Sequence, residues 1–270
     1  MKFSIVTISY NQGRFLEQAI RSVVEQDFED VEYVVVDPGS SDGSREIIEK
    51  YRPHISKIIF ERDMGPADGL NKGFAHATGE IYGYLNADDL LLPGALGTIA
   101  NHFATHSDVD VASGHAVIVD EAGVRLRICY SDRFSRIGYA YGAVVLMQPS
   151  TFFRRSAFIR TDGFNPQNRS NWDSELFVDM AIAGARFNLI SAFLSAYRVH
   201  GESITGSGKL DELIRLYRDN MFRKLTGRQR RRRDLFLEQM LRVLKHLREP
   251  RNLYQRVAYG PIYRRSSVNA

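Results

Sequence analysis

Short apolar runs alternate with longer segments of helical spacing through the first hundred residues. The runs are rich in β-branched and aromatic side chains and comprise Lys2–Ser9, Glu32–Asp37, Lys57–Phe60 and Ile81–Leu85. Between them, apolar side chains recur every three to four residues, as in Phe15–Val24 and Ala67–Ala77. Strand and helix repeat at roughly 25–30 residues, which predicts right-handed βαβ crossovers. We therefore expect an α/β domain with a mostly parallel, Rossmann-like central sheet flanked by helices.

The pattern changes in the second half of the chain. Asp110–Asp120 and Val124–Tyr130 alternate in polarity around Glu121–Gly123 and predict an antiparallel hairpin. Further predicted elements are a helix at Leu96–Phe103, a loop at Ser131–Gly142, a strand at Gln148–Phe153, a helix from Asn171, a strand at Phe187–Tyr197, and helices at Leu210–Leu225 and Asp234–Leu247.

Polar residues follow each predicted parallel strand, and they comprise Asn11, Asp37, Asp63 and the pair Asp88–Asp89. Ligands of open α/β sheets bind outside the carboxyl ends of the strands, so these four loops predict one binding site. The first strand is not followed by G-x-G-x-x-G, and no G-x-x-x-x-G-K-[ST] occurs. Their absence argues against dinucleotide-binding and P-loop proteins.

Asp88 and Asp89 are the most informative pair in this set. Adjacent buried carboxylates repel each other and need a positive partner. A hard divalent cation, Mg²⁺ or Mn²⁺, suits oxygen ligands and would hold a diphosphate. The alternative is a solvated turn before the following helix. Two roles also remain for Asp37. It could accept hydrogen bonds from a base or a ribose, or it could be a turn former.

Length and composition limit the remaining possibilities. A chain of 270 residues is long enough for one large α/β domain with an appendage. The single cysteine, Cys129, excludes an intrachain disulfide and fits a reducing compartment. Neither a secretory signal nor an apolar run of about 18 residues occurs, so we expect a cytoplasmic protein, peripheral on the inner membrane at most.

Charge is unevenly distributed. Residues 209–270 carry 17 Lys and Arg against 6 Asp and Glu, whereas the whole chain has a net charge of +4. The preceding residues are therefore acidic, and the basic segment includes the run Arg228–Arg233. Three explanations remain: docking on an anionic membrane surface, nucleic-acid binding without a recognisable module, or packing of ordinary helices and oligomerisation.

Five segments together resemble family 2 glycosyltransferases of the GT-A fold, of the bacterial surface-polysaccharide type. They are Thr7–Asn11, Asp37–Ser44, Asp63–Gly73, Gly79–Glu80 and Asn86–Asp89, and the resemblance extends to about residue 206. It implies inverting transfer of a hexosyl or N-acetylhexosaminyl group from a nucleotide-diphosphate sugar, UDP above all, to a glycan or lipid-linked glycan. It also implies a Mn²⁺ or Mg²⁺ cofactor. Asn86 stands where relatives often have aspartate, and Pro38 stands where many have Asp or Gly.

The resemblance also assigns roles to individual residues. The nucleotide and donor set is Thr7, Tyr10, Asn11, Asp37, Asp68, Asn71, Lys72 and Asp88, and the metal set is Asp88, Asp89 and His200. Asp173 stands where the catalytic base of these enzymes lies, with Trp172 and Glu175 beside it as acceptor residues. From the sequence alone, Asp173 is equally a helix-capping residue, Trp172 a core residue and His200 a structural histidine.

The sequence thus predicts three parts: a nucleotide-sugar-binding half at 1–105, an acceptor half at 106–206, and a basic helical extension at 207–270. Two alternatives stay open, one an enzyme and one a binding protein. A sugar-phosphate nucleotidyltransferase would normally have a Gly-rich basic loop after the first strand, and Ser9–Gly13 does not resemble one. A nucleic-acid- or membrane-binding protein with a degenerate nucleotide-sugar site is the non-catalytic alternative.

Overall fold

A computed structural model of the chain describes residues 1–203 and 211–262. The predicted boundary between the domain and its extension, near residue 206, lies outside these described residues. So do the last eight residues of the basic segment.

The first part of the chain forms the predicted βαβ units. Its elements are β1 (Phe3–Ile8), α1 (Gly13–Val24), β2 (Val31–Val36), α2 (Ser44–Lys50), β3 (Lys57–Ile59), α3 (Pro66–Ala75) and β4 (Ile81–Asn86). Strand β1 pairs in parallel with β2 and with β4, and β2 pairs in parallel with β3. The carboxyl ends of all four strands therefore lie at one edge of the sheet.

The second part continues the same sheet with mixed pairing. Its elements are β5 (Leu90–Leu91), α4 (Ala95–Thr105), β6 (Val111–Val119), β7 (Arg125–Cys129), α5 (Arg136–Ala140), β8 (Thr151–Arg154), α6 (Arg155–Phe158), α7 (Trp172–Ile182) and β9 (Phe187–Arg198). The predicted hairpin is confirmed as the antiparallel pair β6–β7. Helix α5 falls inside the segment predicted as a loop, where the Ser135 hydroxyl accepts the N–H of Gly138 and caps the short helix.

Within the described residues, the strands form one nine-stranded sheet in the order β3-β2-β1-β4-β8-β6-β9-β5, with β7 on β6. Alternate side chains of β1 enter opposite cores, with Phe3 and Ile5 in one and Val6 in the other. Helices cover both faces, which explains why the parallel strands are continuous apolar runs. Because one sheet passes through both halves, the division at residue 105 stays a functional prediction.

Three helices follow the sheet domain: α8 (Asp211–Thr226), α9 (Arg232–Arg248) and α10 (Pro250–Tyr259). The sequence predicts the first two and misses α10. Helix α8 packs on α5 and α7. Within the described part of the chain, no helix combines the length and the hydropathy of a membrane span.

Some arginines of the run Arg228–Arg233, which ends in the first turn of α9, form ion pairs within the protein. Arg228 binds the buried Asp234 at 2.6 Å, and Arg230 binds Glu238 at 3.0 Å and the carbonyl oxygen of Ala140 at 3.0 Å. These contacts hold α9 against the domain. Two arginines of the run are therefore engaged within the protein, which weakens the run as a nucleic-acid signature.

Candidate active site

A cleft of about 1080 Å³ opens at the carboxyl edge of the parallel strands. Residues that follow each of the four strands line it, and they include Ser9 and Tyr10, Pro38 and Gly39, Arg62 and Asp63, and Asp88 and Asp89. The N-terminus of α7 also lines it, with Trp172 and Asp173. The topology thus brings together loops that are far apart in sequence, as predicted from the polar positions after each strand.

Unpartnered polar atoms are concentrated on the walls of this cleft. Among the described residues, these atoms are Ser9 Oγ, Gln12 Oε1, Tyr84 Oη, Ser170 Oγ, Asn171 Nδ2 and Trp172 Nε1. Ser9 and Tyr84 are each only 3% exposed. A buried polar group without a hydrogen bond costs about 1–3 kcal/mol, so this arrangement suits a polar ligand that supplies the partners.

Asp88 and His200 form a close pair beside the cleft. His200 Nε2 lies 2.9 Å from Asp88 Oδ2, and the histidine side chain is fully buried. Arg14 Nη2 lies 3.2 Å from His200 Nδ1 and can only donate, so Nδ1 accepts and the Nε2–H donates to Asp88. The fold therefore joins two of the three predicted metal ligands, although 112 residues separate them in sequence.

The chemistry of this pair fits a divalent cation. One carboxylate and one imidazole are suitable ligands for Mn²⁺, provided that the cation replaces the proton on Nε2. No group of three His, Cys, Asp or Glu residues capable of holding a metal occurs within the described residues. Mg²⁺ and Mn²⁺ in nucleotide sites commonly take only one or two protein ligands and receive the rest from phosphate oxygens and water.

Asp89 has different surroundings from Asp88. Its Oδ1 accepts the main-chain N–H of Arg198 at 3.0 Å, and its Oδ2 faces Asn86 Nδ2 at 3.4 Å. Burial, reinforced by the charge of Asp88, raises the pKa of the Asp89 carboxyl. The structure thus uses Asp89 to fix β9 to the loop after β4, and its predicted role as a metal ligand stays a prediction.

Arg198 is a positioning residue that the sequence analysis missed. It is 1% exposed, and its guanidinium donates to the carbonyl oxygens of Asp88 and Glu121 and to the side chain of Gln18. A buried arginine is stable only with such a full set of acceptors. The available signal in the sequence was an arginine at the end of a mostly apolar strand, two residues before His200.

Asp173 lies in the first turn of α7 and on the cleft wall. Burial raises the pKa of its carboxyl, opposed by hydrogen bonds from the Ser174 and Asp173 N–H groups and from the Ser174 hydroxyl. Burial and the charge of Asp173 also raise the pKa of Tyr84 and of Tyr139. A carboxylate in such surroundings is a stronger proton acceptor than one in water.

Trp172 is a core residue that also lines the cleft, and its predicted contact with the acceptor stays a prediction. It is 8% exposed and packs in the core beneath the sheet, while its indole nitrogen has no hydrogen-bond partner among the described residues. Glu175 points away from the cleft and binds Asn168 at 2.8 Å and Lys224 of α8 at 2.9 Å. Although burial opposes the change, these hydrogen bonds lower the pKa of Glu175.

The loops after β1 and β2 are held together behind the cleft wall. Asp37 is fully buried and accepts the N–H groups of Gly39 and Ser40. Asn11 adopts a φ of 51° and accepts the Ser41 N–H at 3.0 Å. Tyr10 is 62% exposed at the cleft, and it is the predicted nucleotide residue of these loops that lines it.

Four further residues of the predicted nucleotide set lie behind the cleft and support it. Thr7 accepts the Tyr33 hydroxyl at 3.0 Å, and Asp68 accepts the Met64 N–H at 2.9 Å. Lys72 bonds the carbonyl oxygen of Arg62, and Asn71 donates to the Phe164 carbonyl oxygen at 2.7 Å. Their predicted contacts with the nucleotide remain predictions.

Three cleft residues had no sequence signal. Gln148 donates to the Tyr84 carbonyl oxygen at 2.8 Å and accepts from Asn86 Nδ2 at 3.3 Å. Arg62 and Arg169 add cationic side chains to the cleft lining, and each stands alone in a loop of the sequence. Only the fold brings these side chains to the site.

Comparison with known proteins follows this geometry. The family model described as "Glycosyl transferase family 2" matches residues 4–163, more than half of the chain. An uncharacterized glycosyltransferase of Nostoc sp. is 31% identical over 212 residues, which cover 74% of this chain and 66% of that protein. The chain thus spans about two thirds or less of the length of its first curated relatives.

Two solved structures share the fold over 96% of this chain. TarS of S. aureus in complex with UDP-GlcNAc gives a TM-score of 0.66 at 20% identity, with 73% of that chain covered. The mannosyltransferase PcManGT of Pyrobaculum calidifontis, in complex with GDP-Man and Mn²⁺, gives 0.65 at 21% identity, also with 73% covered. This likeness confirms the predicted GT-A architecture.

Proposed function

The chain belongs to glycosyl transferase family 2, and from this premise we propose that it transfers a sugar from a nucleotide-diphosphate donor to a glycan acceptor with inversion. We expect the transferred group to be hexosyl or N-acetylhexosaminyl. The resemblance to surface-polysaccharide enzymes supports an acceptor carried on a lipid. Because nucleotide sugars are cytoplasmic metabolites, we propose the cytoplasmic face of the inner membrane as the place of reaction.

The observation that carries this proposal is that two carboxylates from distant parts of the chain line one cleft. Asp88 lies after β4 and Asp173 lies at the start of α7, and both line the cleft of about 1080 Å³. The unpartnered polar atoms on its walls supply hydrogen bonds for a polar substrate. Neither the nucleotidyltransferase nor the nucleic-acid alternative assigns a role to Asp173.

In the proposed step, Asp173 acts as the general base. It takes the proton of an acceptor hydroxyl as that oxygen attacks the anomeric carbon. The bond from the anomeric carbon to the diphosphate oxygen breaks with its electron pair on the leaving diphosphate. A single in-line displacement of this kind inverts the anomeric configuration. The raised pKa of Asp173 suits it to accept a proton.

Asp88 and His200 are the proposed ligands of a divalent cation on the donor side, with Asp89 behind them. When bound, Mn²⁺ or Mg²⁺ neutralises negative charge on the diphosphate. We assign Tyr10, which lines the cleft, to a contact with the nucleotide. Thr7, Asn11 and Asp37 are assigned to the base and ribose pocket, and Asp68, Asn71 and Lys72 to the donor side near the loop after β3. Trp172 on the cleft wall is assigned to the acceptor side, and Glu175 supports that side indirectly through its bond to Lys224.

Thermal unfolding of the protein with UDP, GDP and dTDP, each with and without Mn²⁺, tests the donor site. A ligand present at 100 times its dissociation constant stabilises the native state by about 2.7 kcal/mol. We expect a Mn²⁺-dependent shift with one nucleotide, and its loss in Asp88→Asn. Asp108→Asn, at an exposed position of the domain, is the matched control.

Donor consumption separates an enzyme from a degenerate binding protein. Release of nucleoside diphosphate from the matching sugar nucleotide, dependent on acceptor glycan, supports transfer. Binding without any release in a panel of acceptors would favour the degenerate alternative. A folded protein that responds to no nucleotide would refute the proposal.

A further inference from the structure

Helix α9 exposes an apolar stripe in addition to the leucines that it packs against the domain. Its outward face carries four apolar side chains at spacings of four, three and four residues, namely Phe236, Met240, Val243 and Leu247. They are 73%, 41%, 58% and 73% exposed. Helices of globular proteins normally direct such a stripe toward the core. This stripe is left in solvent by the fold of the described residues.

The inward face of α9 carries buried charges. Asp234 accepts from Arg228 at 2.6 Å and from the Tyr141 hydroxyl at 2.8 Å. Glu238 pairs with Arg230 at 3.0 Å and with Arg242 at 2.5 Å. Removing the partners of Asp234 or Glu238 would leave a buried charge unpaired, so these contacts determine which face of α9 points outward. The exposure of the apolar stripe is thus built into the packing of α9.

Helix α10 repeats the same arrangement. Its buried residues are polar, since Asn252 and Gln255 satisfy main-chain groups of Tyr130 and Ile128 at the free edge of β7. Its exposed residues include Leu253, Tyr254 and Val257, which are 41%, 64% and 78% exposed. Two consecutive helices therefore dock largely through polar contacts, to which α9 adds Leu237 and Leu241, and both present apolar side chains to the outside.

The exposed charges on these helices are positive. Arg232, Arg233, Arg248, Arg251 and Arg256 are all exposed. The acids of α9 are buried, and Glu249 between the helices pairs with Arg251 at 2.9 Å. The outward side of α9 and α10, called here the apolar-cationic surface, thus combines large apolar side chains with arginines whose charge the described acids offset only in part.

We propose that the apolar-cationic surface docks on an anionic lipid bilayer. Aromatic and aliphatic side chains insert at the headgroup boundary while arginines bind anionic headgroups, as in interfacial amphipathic helices. A second copy docked face to face would bring arginines against arginines, which is unfavourable. A nucleic acid would leave the apolar stripe exposed.

Docking would present the acceptor side of the cleft in a defined orientation. Lys224 of α8 binds Asp179 at 2.8 Å and Glu175 at 2.9 Å, both on the helix that carries Asp173. Helix α9 packs on α5 and α8 through Leu237 and Leu241. This inference goes beyond the proposed glycosyl transfer and does not rest on it, because vesicle binding is measured without substrate.

Co-sedimentation with vesicles of phosphatidylcholine alone, or with about a third phosphatidylglycerol, tests the docking. The full chain should bind the anionic vesicles and dissociate as salt is raised. Phe236→Gln with Leu247→Gln should weaken partitioning by more than tenfold. Ile159→Gln, at a 67% exposed position of the sheet domain, should bind as wild type.

Charge variants separate the electrostatic contribution to vesicle binding from the apolar contribution. Replacement of Arg232 and Arg233 by Gln should weaken binding by on the order of fivefold for each arginine. Arg186→Gln, an exposed arginine of the sheet domain, should have no effect. All positions are exposed, so circular dichroism should show every variant folded.

Three results would overturn the docking proposal. One is a folded protein that does not bind anionic vesicles. Another is concentration-dependent self-association, measured by analytical ultracentrifugation, that the Phe236→Gln and Leu247→Gln pair abolishes without any vesicle binding. The third is salt-sensitive binding to DNA by a protein that ignores vesicles.

Discussion

Replacing Asp173 by asparagine keeps the shape of the side chain and removes its ability to accept a proton. Asp173 lies in the first turn of α7, where the main-chain N–H of Ser174 and its own N–H face the carboxylate. The amide oxygen of asparagine can accept the same bonds. The substitution therefore isolates the proposed proton transfer from the packing of the helix.

A positioned general base contributes about 10²- to 10⁴-fold to a rate, or about 3–5 kcal/mol of activation free energy. We expect Asp173→Asn to lower kcat by that factor while the nucleotide-induced thermal shift is retained. Asp179→Asn is the matched control, because Asp179 lies two turns further along α7, pairs with Lys224 at 2.8 Å and does not line the cleft. It should keep kcat close to that of wild type.

Stability gives an independent readout. Burial raises the pKa of Asp173, so its carboxyl ionises at higher pH in the folded protein than in the unfolded chain. Between the two pKa values, ionisation favours the unfolded chain and the free energy of unfolding falls as pH rises. Asparagine does not ionise, so above this window Asp173→Asn should be at least as stable as wild type to urea.

The same shift predicts the pH dependence of the rate. The acid limb of kcat/KM should report a carboxyl with a pKa above the ordinary range of aspartate, and it should be absent from any residual activity of the variant. Full activity in Asp173→Asn would refute the assignment of the base. A loss of activity that accompanies a loss of urea stability would show a structural role instead.

Three further predictions concern the scaffold and the donor site. Gly73→Ala places a Cβ 2.4 Å from a methyl group of Val6 in β1, and it should lower the free energy of unfolding in urea by about 1–3 kcal/mol. Gly97→Ala, in open space on α4, is the control and should raise the free energy of unfolding by about 0.5–1 kcal/mol. Asn71→Ala removes two hydrogen bonds, of 2.7 and 2.9 Å, to the main chain of the loop after α6 and should lower the free energy of unfolding by about 2–4 kcal/mol. His200→Ala should abolish the Mn²⁺-dependent part of the nucleotide thermal shift and leave any metal-independent part intact, and an unchanged Mn²⁺ response would exclude this histidine as a metal ligand.

The contacts of individual residues show what reasoning from sequence cannot supply. Asn71 was assigned to the nucleotide pocket because of its position in a motif, yet its amide bonds both main-chain groups of Phe164, 93 residues away. Such a partner cannot be inferred from local pattern, since no turn or helix connects the two positions. The fold also places Gln148 in the cleft lining, although no recognisable sequence motif surrounds this residue.

The amino-acid sequence by itself determined the βαβ order, the parallel strands and the edge at which the polar loops meet. These features follow from hydrophobic periodicity and from the handedness of the crossovers, both of which are local properties of the chain. The sequence also placed Asp88 and Asp173 in polar segments at the ends of elements, where the fold brings them to one cleft.

Only the tertiary structure decided which faces of the C-terminal helices point outward. The periodicity of α9 predicts a helix with apolar residues, and the usual expectation is that those residues face the core. The structure instead buries Asp234 and Glu238 against arginines and exposes Phe236 and Leu247. Two contacts with the distant segment around α5 support that choice, from the Tyr141 hydroxyl to Asp234 and from Arg230 to the Ala140 carbonyl oxygen, and these partners are known only once the chain is folded.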